Sequence, residues 1–170
     1  IVVGIEMETT YNKDVSIIPS NNALTESAKK FQKFIKNELI PHMEVNYRTS
    51  PFMTIAAEGK GADFITYFLE DAEPIFNSLI CITPKLTQFS ASRIESYSLN
   101  RLASIDNSYF LYASNNKKFI TTKQNDQFNQ LSTFLSSFNA ENMHFTFDKF
   151  TNAPNHLSVI GETIPRAFEK

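Results

Sequence analysis

Apolar runs of strand length alternate with helix-period patterns along this chain, and that alternation restricts its fold more than any other feature. The runs are "IVVGI" (Ile1–Ile5), "FMTIAAE" ending at Glu58, "SLICIT" (Ser78–Thr83), "SYFLYAS" (Ser108–Ser114) and "HFTFDKF" (His144–Phe150). Leu24, Ala28, Phe31, Ile35 and Leu39 fall on one helical face, and Pro41 ends or bends that helix. A second helix is predicted from Ala62 to Asp71, and a third through Phe128, Leu131, Leu135 and Phe138. A weaker helical pattern surrounds Ile94 and Leu102, while residues up to Asn22 after the first run read as a long loop. Strands alternating with helices predict right-handed crossovers and a mainly parallel sheet covered on both faces. Ligands of such sheets bind beyond the carboxyl ends of the strands, so the informative loops follow Ile5, Ala57, Thr83, Ser114 and Phe150.

A chain of 170 residues with 42% hydrophobic and 20% charged residues suits one domain, residues 1–170, with its own core. A formal net charge of −2 gives no electrostatic footprint for nucleic acid or an anionic membrane. No apolar run approaches the roughly 20 residues of a membrane-spanning helix. Cys81 is the sole cysteine, so neither an internal disulfide nor a multi-cysteine zinc site can form. His42 and His144 have no ligand-spaced partners, so no metal and no cofactor is expected. The chain opens in mid-strand and closes within a helix in which Thr163 is the predicted cap and Pro165 belongs to the first turn. Both ends thus read as cuts in a longer chain, of which this is the C-terminal major part of an α/β domain.

The stretch "TIAAEGKGADFITYF" (Thr54–Phe68) reads as strand, sharp turn and helix. In many hydrolases a nucleophile occupies the tip of that turn. Here the tip offers Glu58, Gly59 and Lys60.

Several segments resemble the esterase-D-like branch of the α/β-hydrolases, which includes enterochelin and feruloyl esterases. "VVGI" with its following loop through Asp14 and Pro19 resembles the strand and loop before that family's second crossover helix. "FIKNELIPHMEVNYRT" is similar to the helix, acidic residue and Tyr-Arg pair that precede the elbow strand. Pro74, Phe76 and Thr83-Pro84 resemble the segments after the elbow, and "NHLSV" (Asn155–Val159) resembles the loop of the catalytic histidine. The resemblance implies an elbow of the form G-x-S-x-G. Laid on "AEGKG", it puts Ala57 at the first glycine, Gly59 at the serine and Gly61 at the last glycine. The acid position falls in "ASNNKK", approximately at Asn115, and His156 stands where the histidine is expected.

The implied protein is a pseudo-esterase: Gly59 has lost the nucleophile, Asn115 the acid, and His156 is vestigial. Glu58, Lys60 and Phe89 are candidate ligand contacts around the elbow. The expected role is a binding or scaffolding module whose partners are other domains of a longer chain, a protein or a glycan. Resemblance to exported relatives places it outside the cytoplasm. Two rivals stay open: a working carboxylic-ester hydrolase whose catalytic residues lie elsewhere, and a sensor that binds an acyl or phenolic ligand in the vestigial site.

Overall fold

In a computed structural model of the chain, residues 1–7, 9–86, 91, 99–138 and 140–169 are described. They form two compact units, Ile1–Met53 and Thr54–Lys170.

In the first unit, Tyr11–Asp14 form a short helix (α1), and Ile17–Ile18 (β1) pair antiparallel with Ala23–Leu24 (β2). The predicted long loop is therefore a helical turn and a small hairpin. Asp14 accepts a hydrogen bond from Ser27 Oγ at 2.6 Å, the main cause of a carboxyl pKa below the usual range. The amphipathic helix α2 runs Glu26–Phe34, with Thr25 as its cap accepting from the Ala28 amide at 3.3 Å. Leu24, Ala28 and Ile35 bury the predicted stripe, although Leu24 belongs to β2.

Pro41 does not stop the helix. A π-helical turn, Ile35–Leu39, leads directly into α3, Ile40–Asn46, with Pro41 in its first turn. Proline has no N–H to give the preceding turn and its ring crowds the carbonyl four residues back. Widening the turn ahead of it resets the ladder.

"IVVGI" is not a strand. Ile1, Val2, Val3 and Ile5 are exposed and have no ladder partner among the described residues. Strand propensity expresses itself only where another strand can take the backbone donors and acceptors.

The second unit is built on four parallel strands, β3 (Thr54–Glu58), β4 (Ser78–Ile82), β5 (Tyr109–Asn115) and β6 (Met143–Lys149), in that spatial order. In register, Glu58 lies beside Ile82, Ile82 beside Ser114 and Ser114 beside Asp148. Between the strands lie α4 (Lys60–Ile65), which tightens into a 3₁₀ turn over Thr66–Glu70, then α5 (Leu99–Ala103) and α6 (Thr122–Ser137). After β6 comes α7 (His156–Phe168).

Alternation along the strands divides the core between two faces. On one face Phe128 of α6 meets Phe147 edge-on at 5.5 Å, and Cys81 Sγ points at the Ala62 carbonyl of α4 at 3.7 Å. Phe64, Phe68 and Phe76 extend the apolar layer by T-shaped contacts at 5.9 and 5.0 Å. On the opposite face Ile80, Ile82, Tyr112, Phe150 and Ala153 pack around Val159, with Ile160 and Ile164 of α7 against them. Phe150, just past the end of β6, belongs to this face, whereas Phe147 and Phe145 pack against Phe128 and Phe138 on the other. Tyr112 donates its hydroxyl to Asp148, and Arg166 of α7 lies over the Phe150 ring at 5.2 Å. Burial, reinforced by the Asp148 carboxylate, pushes the Tyr112 phenol up.

The final helix begins well before the predicted cap. Asn155 caps α7 by accepting from the Ser158 amide at 2.9 Å, whereas Thr163 is buried inside it. Thr163 Oγ1 donates to the Val159 carbonyl at 2.7 Å and lies 2.8 Å from Ser114 Oγ. Pro165 is also interior to the helix.

Phe128 is fully buried in the layer between α6 and the sheet. Phe128→Ala should lower the unfolding free energy by about 3–5 kcal/mol, read from urea melts by circular dichroism. A loss below about 1 kcal/mol would show that α6 does not pack as described.

Candidate functional site

The carboxyl edge of the sheet is fixed by backbone hydrogen bonds that run past the strand ends. Gly59 N–H donates to the Ile82 carbonyl at 2.9 Å, and Thr83 N–H to the Ser114 carbonyl at 2.8 Å. The Phe150 N–H donates to the Asn115 carbonyl, also at 2.8 Å. Gly59, Thr83 and Asn115 thus stand beside one another on three neighbouring strands.

At Gly59 the chain turns from β3 into α4 with φ 58° and ψ −120°, and its carbonyl accepts from the Asp63 amide at 3.3 Å. Such torsions lie outside the broad regions open to residues with a Cβ. Space is not the constraint: a Cβ on Gly59 would meet only the Lys85 Cε, at 3.9 Å. The turn therefore has room for a side chain and carries none. Glu58, half-buried, ends β3 on the face covered by α7, and Lys60, exposed, begins α4.

Thr83 leaves β4 with φ 46°, a rare conformation for a β-branched residue, immediately before Pro84. The predicted third strand accordingly ends at Ile82. Thr83 is 2% exposed and its hydroxyl finds no hydrogen-bond partner among the described residues. The same holds for the Asn115 side-chain amide, whose residue is 1% exposed. Asn116, equally buried, gives its amide to the Ala153 carbonyl at 3.4 Å and accepts from the Lys118 amide at 3.0 Å. That contact ties the end of β5 to the segment leading into α7.

The backbone of His156 is the first residue of α7, so the segment predicted as a loop is a capped helix start; its side chain lies outside the described part. Phe89 also lies outside the described residues. His42 bonds Asn46 on its own helix, and His144 stacks on Phe110 at 4.6 Å. No three potential metal ligands cluster among the described residues. Cys81 is buried, and burial pushes its thiol up, so it offers no thiolate nucleophile.

A parallel sheet whose first strand here turns through a positive-φ glycine into a helix has solved counterparts. The BES protein from Bacillus cereus superposes with a TM-score of 0.77 at 20% identity, over 92% of this chain and 60% of its own. The chain has the α/β-hydrolase fold. An IroE-like serine hydrolase from Shewanella oneidensis gives a TM-score of 0.69 at 17% identity, over 95% of this chain and 58% of its own. Siderophore hydrolase EstB from Aspergillus nidulans gives 0.70 at 11%, over 96% and 64%. The chain therefore spans less than two thirds of the length of these structures. No family model and no curated protein matches the sequence.

In this α/β-hydrolase fold, Gly59 makes the bend between β3 and α4. The sheet order brings the carboxyl ends of β3 and β5 to one edge, separated only by β4. Sequence reasoning named the loop after Thr83 but not Lys85, whose Cε lies 3.9 Å from the Cβ position at Gly59. That contact is made through space between two loops and leaves no periodic signal in the sequence.

Gly59→Ala adds a methyl group to open space but forces it onto a left-handed backbone. The expected result is a loss of about 1–3 kcal/mol in unfolding free energy with secondary structure intact. A neutral or stabilising outcome in denaturant melts would show that the bend is not held at these torsions.

Proposed function

We propose that the chain is an esterase-like domain that binds or scaffolds without hydrolysing esters. The observation that carries this reading is Gly59: hydrolase-type bend geometry, room for a side chain, and no reactive atom at the tip. Acyl transfer on this fold needs an oxygen or sulfur nucleophile, a base to take its proton and a group to orient the base. A second support is the run Ser114–Lys118 at the end of β5, which contains buried Asn115 and Asn116 and no carboxylate. An asparagine can orient an imidazole by hydrogen bond, yet it brings no negative charge to stabilise an imidazolium. Its partners on this reading are other domains of a longer chain, a protein or a glycan.

The rival is a working carboxylic-ester hydrolase, favoured by the serine hydrolase and siderophore hydrolase among the structural neighbours. Incubation with p-nitrophenyl acetate should give turnover no faster than buffer, and a fluorophosphonate probe should leave the protein unlabelled in mass spectrometry. Labelling of any serine would establish the rival. Gly59→Ser alone should stay at least about 10³-fold below an intact triad, because the acid is missing too. Efficient hydrolysis by that variant would show that a carboxylate does orient the histidine.

A further inference from the structure

We propose that β6 is a homodimer interface: two copies of this chain pair their β6 strands antiparallel about a two-fold axis at Thr146, so that their sheets run on as one. β6 is a terminal strand, laddered to β5 on one side and to no strand on the other among the described residues. Its 7 residues pair with β5 without a bulge and contain no proline. A long regular edge of that kind is a template for another strand. Leu111 to Asn115 of β5 are buried, whereas Phe145 to Asp148 of β6 are half-buried and His144 and Lys149 are exposed.

The register follows from the backbone. The Phe150 N–H donates to the Asn115 carbonyl, and the Asn142 carbonyl accepts from the Tyr109 N–H. Even-numbered residues of β6 therefore direct their backbone groups at β5, and Met143, Phe145, Phe147 and Lys149 turn theirs to the open side. An antiparallel copy centred on Thr146 meets those groups in phase. Phe145 of one copy and Phe147 of the other exchange both N–H···O bonds, and the Met143 carbonyl accepts from the Lys149 N–H. No other centre overlaps the full length of both strands.

The side chains favour the same register. His144 and Asp148 share one face of β6, where His144 stacks on Phe110 at 4.6 Å and Asp148 accepts from the Tyr112 hydroxyl. In the dimer each His144 lies opposite the other copy's Asp148. An imidazole, a donor when neutral and a cation when protonated, then faces a carboxylate that has further lone pairs. On the other face Phe145 lies opposite Phe147, an aromatic cross-strand pair. Exposed charged groups commonly blunt an edge by repelling their own copies. Here neither His144 nor Lys149 is brought against itself. At β3, the terminal strand at the other end of the sheet, the same operation puts Ala56 on the axis and brings no cation to a carboxylate. Two short strands bury less surface than a permanent interface needs, so the dimer depends on concentration.

Sedimentation velocity on the whole chain from about 1 to 500 μM should show monomer–dimer exchange with a dissociation constant of about 10–100 μM. Thr146→Cys should form a disulfide-linked dimer on mild oxidation, because its two copies face each other with Cα atoms about 4.5 Å apart, within reach of a disulfide. His144→Cys should not link, since its copies stand four residues out of step, about 13 Å apart. The native Cys81 is buried and does not compete. His144→Asp sets carboxylates against each other on both sides of the axis and should weaken the dimer about tenfold, while His144→Lys should keep it. Circular-dichroism melts confirm that each variant folds. A chain still monomeric at about 500 μM would overturn the proposal and leave the edge to a strand of another protein. A dimer indifferent to His144→Asp, or a Thr146→Cys protein that does not link, would overturn it as well.

Discussion

The geometry of the site depends on hydrogen bonds that continue the sheet one residue beyond its strands. Gly59 to Ile82, Thr83 to Ser114 and Phe150 to Asn115 lock three chain exits to their neighbours. Each bond forms in the low-dielectric margin of a packed sheet, where leaving a backbone donor unpaired is expensive. The exits are therefore coupled: moving one loop would break the donor–acceptor pairing of the next strand. That coupling holds the bend at Gly59 at a positive φ that glycine adopts readily and residues with a Cβ do not.

Gly59 and Thr83 both take a positive φ on this edge, and the two residues bear it differently. Glycine accepts a positive φ at little cost, so the bend survives the absence of a nucleophile. Thr83 has a Cβ branch and precedes a proline, so its φ of 46° must be sustained by its neighbours. Its amide is bonded to Ser114, and Ser114 is tied through Thr163 to the buried face of α7. The cap at Asn155 starts that helix, and the Val159 and Ile160 face anchors it. The packing on one face of the sheet thereby helps hold the loop geometry at its edge.

Four of the five strands were legible because the strands of a covered parallel sheet are short runs of apolar and aromatic residues, and their lengths differ by only a residue or two from the runs in the sequence. "IVVGI" has the same composition and fails, because pairing is a property of the neighbour and not of the segment. The last helix was misplaced for a different reason. Thr163 followed by Pro165 imitates a helix start, whereas the Thr163 hydroxyl bonds back to its own helix and the true cap is Asn155. At the site, the glycine at the bend was readable from the motif, since the motif is local. Lys85, the buried hydroxyl of Thr83 and the Asn116 contact to Ala153 join segments distant in sequence, and no spacing rule exposes them.

On the proposed reading, the loss of the nucleophile and the loss of the acid are linked by electrostatics. A carboxylate at Asn115 would sit at 1% exposure, where an unpaired charge is far costlier than an unpaired amide. In a working triad that charge is offset when the imidazole takes the proton of the nucleophile, and the burial serves catalysis. Once the tip is a glycine no proton is transferred and no imidazolium forms. The buried charge would then destabilise the native edge without return. Asparagine is close to isosteric, keeps hydrogen-bonding groups and removes the desolvation cost, so its presence at the end of β5 is what the fold favours once Gly59 has replaced the reactive side chain.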